Sequence, residues 1–154
     1  MLPQKSRKKP RSRQRNRNKY QSQNKSNTHE GTSYKQSAKH NLEILFDLNQ
    51  SSIKPLADPM LEDASIFLKS EYKKDQSKRF TLVGHTDQRG SDSRNDSLSN
   101  ERALAVRSKL EAMGVKKGWL AIYGMGARHL RSSGTKEAAH VQNRRVELLL
   151  DFDP

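Results

Sequence analysis

Cysteine is absent from this sequence of 154 residues. That absence excludes a disulfide framework, a thiolate metal site and a cysteine nucleophile. A chain without thiols is indifferent to redox compartment, so nothing about location follows from it. Long apolar runs are missing as well: no stretch reaches the roughly 18 apolar residues that would read as a membrane-spanning helix. Met1 is followed by LPQKSRKKPRSRQ without the apolar segment of a secretory leader. Taken literally, such a start reads as that of a soluble, cytoplasmic chain. Apolar and aromatic residues are scarce over residues 1–40, where only Met1, Leu2, Tyr20, Tyr34 and Ala38 occur.

What is present is unevenly distributed. Residues 1–40 hold 12 Lys and Arg against the single acid Glu30, while residues 41–154 hold 18 against 16. The overall charge of +13 is therefore mostly a property of the first 40 residues. So little apolar surface cannot offset an ordering cost of about 1–2 kcal/mol per residue, and a disordered tail is expected there. Charge alone would let it hold nucleic acid or another polyanion. A solvated linker is the plainer reading.

From residue 41 the pattern becomes that of a folded domain, 41–154. Leu42-Glu43-Ile44-Leu45-Phe46-Asp47-Leu48 reads as a strand. Pro55 suits the first turn of a helix, and Leu56, Met60, Leu61, Ala64, Phe67 and Leu68 fall on one helical stripe to about Lys73. Phe80 to His85 reads as a second strand. A second helix buries Leu98, Ala103, Val106 and Leu110 and stops at Gly114. Trp119–Tyr123 and Arg145–Asp151 complete four strands, with a loop rich in Gly and Ser between them. The order strand, helix, strand, helix, strand, strand gives an α/β fold of two layers, its helices on one face of the sheet.

Four pieces of the chain could carry chemistry: Phe46-Asp47 with Ile53-Lys54-Pro55; Gly84-His85-Thr86-Asp87-Gln88-Arg89-Gly90; Asn95 with Leu98-Ser99-Asn100-Glu101-Arg102-Ala103; and Asn143-Arg144-Arg145-Val146-Glu147. Alone each is ambiguous, since turn aspartates and surface arginines are common. Together, GHTDQRG, LSNERALAV and NRRVELLL, in this order and spacing, resemble the OmpA-like domain, and FDLNQSSIKP resembles its opening strand. The resemblance covers nearly all of residues 41–151. It implies a βαβαββ sandwich with a four-stranded mixed sheet and two main helices. It also implies a ligand, the diaminopimelate residue in the peptide stem of peptidoglycan.

Position by position, the resemblance places ligand contacts on Asp87, Arg102, Asn95, Arg144 and Arg145, with Thr86 and Leu98 shaping the pocket. The chemistry suits that ligand: an aspartate answers an ammonium, and an arginine forks onto the neighbouring carboxylate. The loop Gly124-Met125-Gly126-Ala127 departs from the family, which often carries a proline there. The implied setting is the periplasm or the outer membrane, with envelope proteins as partners.

Catalysis is the weaker reading. The five histidines show no HExxH spacing, and His85 beside Asp87 more often supports a turn than moves a proton. No phosphate loop, nucleophile elbow or metal cluster is seen, so neither cofactor nor metal is expected. A second rival is a polyanion or nucleic-acid binder acting through the tail, with the folded part a relic.

Overall fold

The computed structural model describes residues 42–154. The basic stretch 1–40, with its expected disorder and polyanion binding, lies outside the described residues. The elements run β1 (Glu43–Leu45), α1 (Asp58–Lys74), β2 (Phe80–Gly84), α2 (Asp92–Ala112), β3 (Leu120–Gly124), α3 (Glu137–Asn143) and β4 (Arg145–Leu150). The last strand is inserted at the centre, giving the order β1-β4-β2-β3. It runs antiparallel to β1 and β2, while β2 and β3 are parallel. The two expected crossovers are therefore present, and β1 and β2 run the same way with β4 between them. The backbone N–H of Phe46 donates to the Arg144 carbonyl at 2.9 Å, so the β1–β4 ladder extends past Leu45.

Strand alternation sorts the sheet into two unlike faces. Leu42, Ile44, Phe46, Phe80, Leu82, Leu120, Val146 and Leu148 join Leu61, Ala64, Leu68, Ala103, Val106 and Leu110 of α1 and α2 in one buried apolar cluster. Each such Leu, Ile, Val or Phe side chain contributes roughly 1.5–3 kcal/mol when fully buried. The opposite face holds a smaller cluster of Val83, Met125 and Leu149, beside buried His85, Arg145 and Glu147.

A glycine sets how closely α2 lies on the sheet. A Cβ built on Gly84 would stand 1.9 Å from the Ser99 carbonyl oxygen. Only a residue without a side chain lets the helix backbone approach so near. Ser91 caps α2, its Oγ accepting from the Arg94 N–H at 3.3 Å, and Gly114 follows the helix at φ +93°.

Three expectations need correction. Pro55 opens a 3-10 turn (Pro55–Ala57), and the α-helix starts only at Asp58. Leu56 and Met60 are exposed, because the buried stripe of α1 runs through Leu61, Ala64, Ser65, Leu68 and Tyr72. The segment read as loop before the last strand contains the short helix α3.

Candidate functional site

Beyond the end of β2, on the side of the sheet that carries the helices, a narrow cleft is lined by Thr86, Asp87, Asn95, Leu98, Arg102 and Arg144. Leu48, Asn49 and Arg89 complete its wall. Five of the six residues expected at the site are thus brought together from three separate stretches of chain.

Asp87 is buried and receives four hydrogen bonds. Its Oδ1 accepts from the Arg89 backbone N–H at 3.0 Å and from Arg89 Nε at 3.1 Å. Its Oδ2 accepts from Arg89 Nη2 at 2.6 Å and from Arg144 Nη1 at 3.3 Å. Burial alone would raise the Asp87 pKa, but the bonds from Arg89 and Arg144 more than offset that and lower it to about 2. The group is a carboxylate at any physiological pH.

Arg102 is the largest fully buried side chain among the described residues. Its Nε donates to the Gln50 carbonyl at 2.8 Å, Nη1 to His85 at 2.9 Å and Nη2 to Asp47 at 3.0 Å. Its guanidinium lies 5.3 Å from the centre of the Phe46 ring. Arg102 thereby staples the turn Asp47–Gln50, in which Asn49 takes φ 56°, to the exit of β2. Burial, with help from the Arg144 charge, lowers its pKa to about 10, so it stays a cation. A guanidinium carries five N–H groups; three serve these carbonyls, which leaves two for a ligand.

Arg144 positions rather than reaches out. Nε donates to the Phe46 carbonyl at 2.9 Å, Nη1 to Asp87 and Nη2 to Glu137 Oε1 at 2.8 Å. Thr86 donates its backbone N–H to Gly126 at 2.9 Å, while its buried hydroxyl has no partner among the described residues. The buried Asn95 side chain, one turn into α2, makes no hydrogen bond among the described residues. Thr86, Asn95, Arg102 and the carboxylate-bearing Asp87 therefore line a common space.

The structure does not bring Arg145 to this cleft. In a strand, consecutive side chains point to opposite faces, and Arg145 turns away from Arg144 onto the other side of the sheet. There its Nε donates to Glu147 Oε1 at 2.7 Å. Glu43 and Glu147, directly opposed across β1 and β4, are bridged by Arg131. His85 is fully buried beside them, its Nε2 3.6 Å from Glu147 Oε2. Among the described residues neither ring nitrogen has a hydrogen-bond partner. Burial lowers the His85 pKa to about 4, so the ring is neutral near pH 7.

Sequence reasoning missed two residues at the cleft. Arg89 is 39% exposed and covers Asp87. Glu137, 60% exposed at the start of α3, receives Arg144 and lies 3.5 Å from Arg89 Nη1. The signal for Arg89 was its place two residues after a turn aspartate, where its backbone N–H closes onto the aspartate carboxylate. Glu137 had none, because α3 was not recognised. Among the described residues no His, Asp or Glu cluster is arranged to hold a metal ion, and no helix is long and apolar enough to cross a membrane.

Known proteins resemble this chain in sequence and in fold. The model of the OmpA family matches residues 45–144. A peptidoglycan-associated lipoprotein of Legionella pneumophila is 32% identical over 121 residues, 79% of this chain and 66% of the relative. A peptidoglycan-associated lipoprotein of Pseudomonas aeruginosa is 35% identical over 103 residues, 67% of this chain and 58% of the relative. The chain thus spans about two thirds or less of the length of these relatives. The crystal structure of the peptidoglycan-associated lipoprotein from Burkholderia pseudomallei superposes with a TM-score of 0.65 at 28% identity, covering 71% of this chain and 89% of that one. The C-terminal domain of Helicobacter pylori MotB shares the fold, with a TM-score of 0.64 at 19% identity over 72% of this chain and 84% of that one.

Proposed function

This chain belongs to the OmpA family, and we propose from that premise that its cleft binds the peptide stem of peptidoglycan at the diaminopimelate residue. The domain is a binding module and not an enzyme. It would tie the cell wall to the outer membrane or to an envelope complex from the periplasmic side. The relatives named for association with peptidoglycan support the polymer, and the cleft supports the residue.

One observation carries the residue assignment. A buried carboxylate, Asp87, shares its cleft with the guanidinium of Arg102, which retains two N–H groups. The free end of diaminopimelate offers an ammonium and a carboxylate on one carbon. The ammonium pairs with Asp87, and the carboxylate takes the remaining donors of Arg102, the Thr86 hydroxyl and the Asn95 amide. Arg144 holds Asp87 in place.

A lysine-containing stem offers the ammonium without the carboxylate, which gives the test. The chain is titrated with soluble stem peptides of the two kinds, beside Asp87→Asn. The diaminopimelate stem should bind roughly tenfold to a hundredfold more tightly, the value of one hydrogen-bonded charge pair. Asp87→Asn should remove binding while leaving the fold intact. Equal binding of both stems, or full binding by Asp87→Asn, rules the assignment out.

A further inference from the structure

Resting on that reading of the cleft, we propose that Arg89 determines specificity by occupying the ammonium position of the free site, so that a ligand must offer a carboxylate in exchange.

Asp87 is already saturated. A carboxylate has about four lone-pair positions, and Asp87 accepts four hydrogen bonds. No acceptor is left for an incoming ammonium, so a donor has to leave. The Arg89 backbone N–H is fixed by the turn. Arg144 is buried and also tied to the Phe46 carbonyl and Glu137. The Arg89 side chain is the one of the three that is partly exposed, and it alone supplies two of the four bonds. It is the group that can leave.

Its departure is prepared on one side. Arg89 Nη1 already lies 3.5 Å from Glu137 Oε2, on an exposed side chain of α3. When the fork on Asp87 opens, Glu137 keeps the guanidinium at the mouth of the cleft instead of releasing it to solvent. A ligand carrying only an ammonium displaces Arg89 and returns nothing to it. One carrying a carboxylate next to its ammonium takes Asp87 with the one, and its carboxylate, with about four acceptor positions, serves the displaced Arg89 as well as the inner donors of Arg102. Both salt links are then remade. Arg89 therefore penalises a plain amine and tolerates a zwitterionic end, which is selection by a repulsive element as well as an attractive one.

The experiment titrates the full chain with the same two soluble stems, beside Arg89→Ala, Arg89→Lys and Asp87→Asn. In Arg89→Ala the preference for the diaminopimelate stem should fall by roughly threefold to tenfold, chiefly because the lysine stem binds more tightly. Arg89→Lys, a point charge without the fork, should fall between. A lysine stem that binds only once Arg89 is removed supports the proposal in its strongest form. Wild-type binding that needs Asp87, with an unchanged preference in Arg89→Ala, overturns the role of Arg89 and leaves the cleft assignment standing. Weaker binding of the lysine stem by Arg89→Ala overturns it too, since a supporting residue behaves that way. Absence of binding by every protein overturns both readings together.

Discussion

Arg144 and Arg145 are neighbours in the chain and belong to two different machines. On the helix side of the sheet, Arg144 joins Asp87, Arg89 and Glu137 in a cluster whose outer members, Arg89 and Glu137, are exposed. Behind the sheet, Arg145 joins Glu147, Arg131 and Glu43, with the Arg145–Glu147 pair almost wholly enclosed. Both are arginine–carboxylate networks of similar composition. One has a partner that can be exchanged, together with a free hydroxyl, a free amide and two unused N–H groups. The other has its charges matched against each other beside a neutral histidine. What separates a site from a brace here is the presence of groups that can change partners, not the number of charges. A buried ion pair adds little net stability when its charges must first be desolvated, so the rear network is best described as holding β1, β4 and the 125–144 segment in one arrangement.

The comparison depends on α2 pressing against one face only, and Gly84→Ala breaks that arrangement most severely. The added methyl would meet the Ser99 carbonyl at 1.9 Å, backbone against side chain with no rotamer to relieve it. A loss of roughly 3 kcal/mol or more is expected in urea denaturation, or failure to fold. A variant as stable as the parent would mean that α2 is not docked as described.

Glu147→Gln separates the two clusters next. It leaves Arg145 and Arg131 facing a neutral amide in a buried setting, at a cost of roughly 2–4 kcal/mol in the same assay. Ligand binding by the folded fraction should be unaltered. Lost binding at full stability would show that the two faces are coupled.

A third effect concerns pH. The His85 pKa is lowered in the folded state from 6.5 to about 4, so between those values the unfolded chain binds a proton that the folded chain does not. Its contribution is complete above pH 6.5 and declines as pH falls towards 4. His85→Phe should flatten the fall in urea stability across that window. An equal slope in both proteins would place the titrating group elsewhere.

Much of this was legible in the sequence, for reasons that also explain the gaps. The four strands and two long helices announced themselves because their apolar positions recur at strand or helix spacing over enough residues. α3 did not: seven residues, EAAHVQN, with no side-chain cap, sit between a polar loop and β4. Leu56 and Met60 misled because they continue the spacing of α1: Leu56 belongs to the preceding 3-10 turn, and Met60, inside α1, lies beside the buried stripe of Leu61, Ala64, Ser65, Leu68 and Tyr72. Within the site, the TD, LSNERA and NRR motifs identified Asp87, Arg102 and Arg144 through resemblance. Arg145 was carried along by adjacency, although alternation within the strand already implied that the two arginines diverge. The main work of Arg102, binding three carbonyls from two loops, is a long-range property that no local pattern encodes.

The central claim is that the front cluster, and not the rear one, meets the cell wall. Its most direct test is co-sedimentation of the full chain with diaminopimelate-type sacculi, comparing wild type, Asp87→Ala and the rear-face variant Glu43→Gln, each checked for folding. Wild type and Glu43→Gln should pellet, and Asp87→Ala should stay in solution. Pelleting of folded Asp87→Ala at the wild-type level would contradict it.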